Sequence, residues 1–449
     1  MCSKLRHKVL IVSPHFPPIN AADHQRVRMS LPYMEEFGWE PHILTVHPDH
    51  IEGVQDPILT KTVPPQIPTT YTGALPVQQT RRIGMSNLGL RCFPYLLQTG
   101  DRLLRQQKFD LVYFSTTVFT TMGLGSRWER LFNVPYILDF QDPWLSDYYK
   151  QAKTVPPGGR FKYGFAQLQA KILEPRALSK VAHVISVSPA YPKVLQQRYP
   201  YLQPEKFTVL PFGAPEPDFA ALSQLNIQQK IYNPNDGKRH WVYVGRGGDD
   251  MALAVRSLFL GIQAHRSQNP EIWQSVQMHF VGTSYAPGNL AVKTIEPIAQ
   301  ELGIADLVTE HPHRIPYFEA LQVLVDSDAI LLIGSDDPSY TASKLYPCIL
   351  AKKAILAIFH NQSSVVDILH SCQAGHAVTF TSNNQPIDLQ SEIISQVNSL
   401  LSLPKGFQPK TDWLAFQPYT ARDMTLQQCK IFDQCLVNYR SNKTLSSVF

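Results

Sequence analysis

The chain has 449 residues, 44% hydrophobic and 17% charged, with a formal net charge of +5. That length predicts two domains of roughly 200 residues each, and the composition is that of a globular protein with ample core. The six cysteines (Cys2, Cys92, Cys348, Cys372, Cys429 and Cys435) are scattered without CxxC spacing, which argues against a zinc site or disulfide framework and suits a reducing cytoplasm. No apolar stretch approaches the length of a bilayer span, and the strand after the first eight residues is too short for a signal peptide.

In chain order, Lys8–Pro14 reads as a short buried strand, followed by a Pro-rich turn and a helix from about Asp23 to Phe37. Pro41–Val46 is a second strand, and residues 49–80 form a Pro- and Thr-rich excursion without periodicity. An amphipathic helix over Leu88–Gln107 leads to strands at Asp110–Ser115, Pro135–Phe140, Val181–Ser188 and Phe207–Pro211. Residues 214–237, rich in Pro, Asn and Gln, suit an interdomain linker. The pattern then restarts: Trp241–Val244 ends in Gly245-Arg-Gly-Gly and is followed by a helix over Asp250–Ala264. Strands at Val276–Gly282, Val308–His311, Ala329–Gly334 and Ala354–Phe359 alternate with helices, and a last helix spans Ala421–Tyr439. Strands alternating with helices mark parallel α/β units. Two such openings imply two similar domains with a cleft between them, the default place for chemistry.

The charge is unevenly placed. Residues 151–206 carry nine Lys or Arg, opposed only by Glu174 and Glu205. With Phe161, Tyr163 and Phe165 interspersed, this stretch fits either an anionic membrane or phosphorylated acceptor, or a solvated helix face. The excess is local and no recognition module accompanies it, which disfavours nucleic acid.

Two segments carry the chemistry. The strand Ala329–Gly334 runs into a polar loop, with a helix expected to begin near Thr341–Lys344. Free amides there, with Ser343 as a cap and Lys344 adding charge, would bind a phosphate. Gly245-Arg246-Gly247-Gly248 follows a strand directly; its glycines let a ligand approach the backbone, and Arg246 can fork onto a diphosphate. Asp249 and Asp250 read as caps of the following helix, and Met251 as its core. The chain lacks a GxGxxG turn after either first strand, a P-loop lysine motif and His-rich metal motifs, which disfavours a dehydrogenase or P-loop ATPase.

The chain resembles the GT-B-fold glycosyltransferases, specifically the large family 4 of retaining enzymes. The segments that match are Val12–Pro18, Phe37–Val46, Asp139–Trp144, Val184–Ser188, Val209–Gly213, Tyr243–Arg246 and Ser343–Pro347. The resemblance implies two Rossmann-like parallel-sheet domains facing a cleft: an acceptor domain at 1–215, a linker at 216–238, a nucleotide-sugar domain at 239–412 and a crossover helix within 413–449. It also implies that Gly245, Arg246 and Gly247, with the amides of Ala342, Ser343 and Lys344, hold the donor diphosphate. Fixed cations can stabilise such a leaving group without a metal or further cofactor. Asp336, Asp337 and Arg314 fall on the sugar and nucleotide side. On the acceptor side stand Asn20 and Arg26, with Asp142 and His15 as candidate base or acceptor ligands; a structural histidine and a salt-bridged arginine are the plainer readings of His15 and Arg26.

Two departures stand out. Alignment on Ser343-Lys-Leu-Tyr puts Ser339 and Pro347 where the family commonly carries a pair of glutamates, and Met251 where it carries a lysine. The expected activity is transfer of a sugar from a nucleotide diphosphate donor to a glycan or lipid-linked hydroxyl, in surface polysaccharide or glycolipid synthesis, at the cytoplasmic face of a membrane. A nucleotide-sugar epimerase and a non-catalytic scaffold subunit are the alternatives.

Overall fold

The computed structural model describes residues 6–82, 85–145, 159–284, 286, 290–337 and 343–446. It divides into two units, Met1–Gly213 with Ala421–Phe449, and Ala214–Thr420.

The first unit is built on a seven-stranded sheet in the order β3-β2-β1-β4-β5-β6-β7. Its strands are β1 (His7–Val12), β2 (Trp39–Val46), β3 (Thr69–Thr72), β4 (Leu111–Ser115), β5 (Tyr136–Phe140), β6 (His183–Ser186) and β7 (Phe207–Val209). Every pairing is parallel. Parallel strands with both faces covered read as continuous apolar runs, which is why β4 and β5 are buried at every residue. The strand period of two sends Leu10 and Val12 into one core, whereas Val9 and Ile11 enter the other. The second core is closed by the C-terminal helix, Ala421–Ser446. Phe432 of that helix packs edge-on against Trp39 and Tyr113, and the Trp39 indole donates to Asp433 at 2.9 Å.

The second unit repeats the plan with six parallel strands in the order β10-β9-β8-β11-β12-β13. They are β8 (Arg239–Val244), β9 (Val276–Val281), β10 (Val308–His311), β11 (Ala329–Ile333), β12 (Ala354–His360) and β13 (His376–Phe380). Apolar cores lie on both faces of this sheet as well.

Three sequence expectations need correction. The 216–238 segment is no linker, because it opens with a helix, Glu216–Leu225, that is part of the second unit. Asp218 there accepts from the Tyr317 hydroxyl at 2.7 Å, and the Tyr232 hydroxyl donates to the Val323 carbonyl at 2.8 Å. The return to the first unit begins at Ala421 rather than 413, since Trp413–Phe416 is a short helix whose Phe416 is buried in the second unit's core. Within residues 49–80, Thr69–Thr72 pairs as an edge strand against β2.

Each sheet has a point where the strand order reverses: between β1 and β4 in the first, and between β8 and β11 in the second. Ligands of open α/β sheets bind beyond the carboxyl ends of the strands at such a point.

Candidate functional site

In the second unit, the two strands flanking the reversal point deliver Gly245–Gly248 and residues 334–337. The loop after β8 is set by backbone bonds, Gly245 N–H to Val281 at 2.9 Å and Gly247 N–H to Thr283 at 2.7 Å. It tolerates no side chain at two positions. A Cβ on Gly245 would stand 2.5 Å from the Tyr243 hydroxyl, and one on Gly247 would stand 2.3 Å from Thr294 Oγ1. The Tyr243 hydroxyl in turn donates to the Arg246 carbonyl at 2.7 Å. The backbone that presents Arg246 is therefore held on both sides.

The Arg246 guanidinium forks onto Asp250, with Nη1 to Oδ1 at 2.8 Å and Nη2 to Oδ2 at 2.6 Å. About a quarter of each side chain remains exposed. Burial raises the Asp250 carboxyl, but Arg246 and the Ser335 hydroxyl outweigh it and hold the group below its ordinary value. Asp250 is thus the ion-pair partner of Arg246 rather than the helix cap that the sequence suggested. Met251 is core, as read, at 1% exposure.

Lys344 immediately precedes the six-residue helix Leu345–Leu350 and is half-buried. Burial, together with the charges of Arg246 and Arg314, pushes its ammonium down to about 8. Lys344 thus feels two arginines from separate loops, of which Arg246 is paired with Asp250. Such a convergence is unfavourable in the empty protein and is relieved by a polyanion. Arg314 and Ser343 are exposed. Asp336 and Asp337 are also exposed at the end of β11. Desolvation and the charges of Asp250 and Asp337 raise the Asp336 carboxyl. Ala342 lies outside the described residues, and the helix begins at Leu345.

In the first unit, His15 follows β1 and its Nδ1 lies 3.0 Å from both oxygens of Asp23. Asp23 is 4% exposed and also accepts from the Thr116 hydroxyl at 2.9 Å, the Thr117 amide at 3.1 Å and the Thr117 hydroxyl at 3.2 Å. Burial alone would raise this carboxyl. The His15 hydrogen bond and charge and the Thr117 amide reverse that and lower it to about 2. An ionised carboxylate can only accept, so Nδ1 carries the proton and a neutral His15 keeps its lone pair on Nε2. This is the geometry of an oriented imidazole base. The threonines come from the end of β4, placing the pair at the reversal point of the first sheet.

Asp142, just past β5, is exposed; the surrounding protein and the Asp23 charge push its carboxyl up. Trp144 stacks on Phe119 at 5.5 Å. Asn20 is half-buried, with its amide bonded to the Val54 carbonyl at 2.8 Å. Arg26 is not an acceptor ligand, because it is 0% exposed. Its Nε donates to Asp139 at 2.8 Å, and its other nitrogens donate to the Leu210 and Pro211 carbonyls at 2.6 and 3.1 Å. Asp139 further accepts from Ser115, Gln141 and Tyr113.

Asp23, Thr116 and Thr117 were missed from sequence, and Asp250 was read only as a helix cap. The only available signals were an aspartate eight residues after His15 and one four residues after Arg246.

Two Rossmann-like units, each with polar groups gathered at its strand reversal, define a GT-B-fold protein. Residues 24–213, within its first unit, match the family model described as Glycosyl transferase 4-like domain. No curated protein sequence matches the chain. Among solved structures, Anabaena HepE in complex with UDP and glucose is 14% identical, with a TM-score of 0.59 over 96% of this chain and 100% of that one. A glycosyltransferase from Rickettsia africae is 13% identical, with a TM-score of 0.55 over 96% and 99%. The N-terminal domain of Candida albicans trehalose-6-phosphate phosphatase is 14% identical, with a TM-score of 0.58 over 96% and 98%. At these identities the likeness is one of fold.

Proposed function

We propose that this chain is a glycosyltransferase that moves a sugar from a nucleoside diphosphate donor onto the hydroxyl of a glycan or lipid-linked glycan. The observation that carries the reading is the glycine loop after β8 that presents the Arg246 fork, with the half-buried Lys344 near enough to feel its charge. A diphosphate offers negative charge to these cations and the paired oxygens that the Arg246 fork fits. Anabaena HepE, a protein of the same fold, is in complex with UDP and glucose, which supports a nucleotide-sugar donor.

In the step itself, the acceptor oxygen forms a bond to the anomeric carbon while the bond from that carbon to the diphosphate breaks. The bonding pair leaves with the nucleoside diphosphate, and Arg246, Lys344 and Arg314 stabilise the added charge. The acceptor gives its proton to a base, and the candidate that the first unit offers is Nε2 of His15, whose ring Asp23 orients. Asp142 is a second acceptor-side group.

Sequence resemblance implies retention of anomeric configuration. The His15–Asp23 pair favours a second reading, a single displacement with inversion, because a protein-borne base lets the acceptor attack opposite the leaving group. NMR of the product's anomeric proton separates the two.

The proposal is tested by thermal shift against UDP, GDP, dTDP and CMP and their sugar conjugates. One nucleotide is expected to raise the melting temperature in a concentration-dependent way, and Arg246→Ala to abolish the rise. A flat response across the panel would refute the donor site.

A further inference from the structure

The helix Gly159–Leu178 is apolar on two opposite sides. One side is the expected core face: Ala170, Glu174, Ala177 and Leu178 are at most 1% exposed. The other side carries Phe165 at 60%, Leu168 at 57% and Ile172 at 45% exposure. These residues are spaced three and four apart, so they form one stripe at helical pitch. Arg176 extends the stripe by one more turn, Lys171 flanks it, and both are exposed. A contiguous apolar stripe facing water marks an interaction surface.

The charge around the stripe is of one sign. Glu174 does not offset it, because its carboxylate is turned inward and bonded to Arg198 at 2.6 Å and to the Tyr199 hydroxyl at 2.9 Å. Among the described residues, no carboxylate lies within ion-pair distance of Lys171, Arg176 or Lys193. Tyr201, half exposed, donates to the Pro175 carbonyl at 3.4 Å and sets an aromatic ring beside the end of the helix. Apolar side chains in a row, cations at their border and an amphipathic aromatic beside them match the layered chemistry of a bilayer surface. A second copy of the chain meets the stripe poorly, since a two-fold contact would set Lys171 and Arg176 against their own kind. No helix among the described residues is long and apolar enough to cross a membrane, so contact would be with the interface.

We infer that this face docks on an anionic lipid bilayer, with Phe165, Leu168 and Ile172 entering the headgroup boundary and Lys171 and Arg176 meeting lipid phosphates. The inference is independent of the transfer chemistry, which uses none of these residues.

The test is co-sedimentation of the full chain with phosphatidylcholine vesicles and with mixed phosphatidylcholine–phosphatidylglycerol vesicles. The protein is expected to bind the anionic vesicles and to be released by salt. The combined variant Phe165→Ser, Leu168→Ser, Ile172→Ser should lower the partition coefficient at least about tenfold. The pair Lys171→Glu and Arg176→Glu should remove the preference for anionic lipid. Because all five side chains are exposed, the variants should keep the wild-type melting temperature. As a second readout, Leu168→Trp should shift its fluorescence to the blue on anionic vesicles. Absence of binding, binding equal in the wild type and the serine variant, or no fluorescence shift would each overturn the proposal. So would a wild-type dimer that the serine variant splits, since the stripe would then belong to a second copy.

Discussion

Raising the pH from 7 to 9.5 should weaken nucleotide binding, and the weakening should disappear in Lys344→Met. With its ammonium at about 8 in the empty protein, Lys344 is about nine-tenths charged at pH 7 and about one-tenth charged at pH 9. A charge-assisted hydrogen bond is worth about 1.5–3 kcal/mol, so full loss of the Lys344 charge should raise the dissociation constant roughly 10- to 150-fold. The decline cannot exceed about tenfold per pH unit above 8, because one proton is involved. The diphosphate itself adds no titration if an intact nucleotide sugar is the probe.

Calorimetric titration at half-unit pH steps, using the nucleotide sugar that stabilises the protein, gives the curve. Lys344→Met should bind at pH 7 about as weakly as the wild type does at high pH, with no further slope. Stability should move the other way. Between pH 8 and about 10.4 the unfolded chain binds the proton more readily than the folded one, so the Lys344 contribution to stability rises with pH there. A flat affinity profile in the wild type, or wild-type affinity in Lys344→Met, would refute the reasoning by removing Lys344 from the diphosphate site.

Arg26→Met should cost about 3–5 kcal/mol of stability, because Asp139 would remain buried without its counter-ion. Urea denaturation measures the loss, and a change below 1 kcal/mol in the face of weakened acceptor binding would restore Arg26 to a ligand role. Asp23→Asn should lower turnover about 10²- to 10⁴-fold with little effect on donor affinity, since the amide no longer enforces a proton on Nδ1 of His15. Unchanged turnover would show that His15 is not the base. The same variant should lose roughly 2 kcal/mol of stability that the wild type has above pH 4 and surrenders as the pH falls through about 2; acid titration of unfolding reads it. Asp250→Asn should tighten nucleotide binding about two- to fivefold by releasing Arg246 from a competing carboxylate. Weaker binding would mean that Asp250 is needed to aim the arginine.

Sequence reading succeeded where a strand is buried on both faces. β4, β5, β11 and β12 announce themselves as unbroken apolar runs, and those runs are enough for two parallel sheets. It failed at two of the four edges. Thr69–Thr72 and His376–Phe380 each have polar or exposed positions, and their strand character comes from pairing with β2 and β12 rather than from their own pattern. Glu216–Leu225 was hidden by its Pro-rich surroundings.

The site divides similarly. Glycines and cations after strand ends, such as Gly245, Arg246 and Lys344, are visible because position and residue type together suggest phosphate. Partners are not visible. Nothing in the order of residues tells Arg26 that Asp139, 113 positions away, will neutralise it, so a buried structural arginine looks the same as a ligand-binding one. Asp23 was overlooked for the same reason: the Thr116 and Thr117 groups that complete its shell arrive from the far side of the sheet reversal.

The return of Ala421–Ser446 to the first unit bears on how the chain is made. Synthesis runs from the N-terminus, so the β1, β2 and β4 residues that Phe432 will cover emerge long before their cover exists. The whole second unit is inserted between them. Until the last thirty or so residues are released, Trp39 and Tyr113 present an open apolar surface, the state in which aggregation competes with folding. A stop codon near residue 420 would therefore damage the opposite end of the protein, unseating the Rossmann-like unit that carries His15 while leaving the second unit whole.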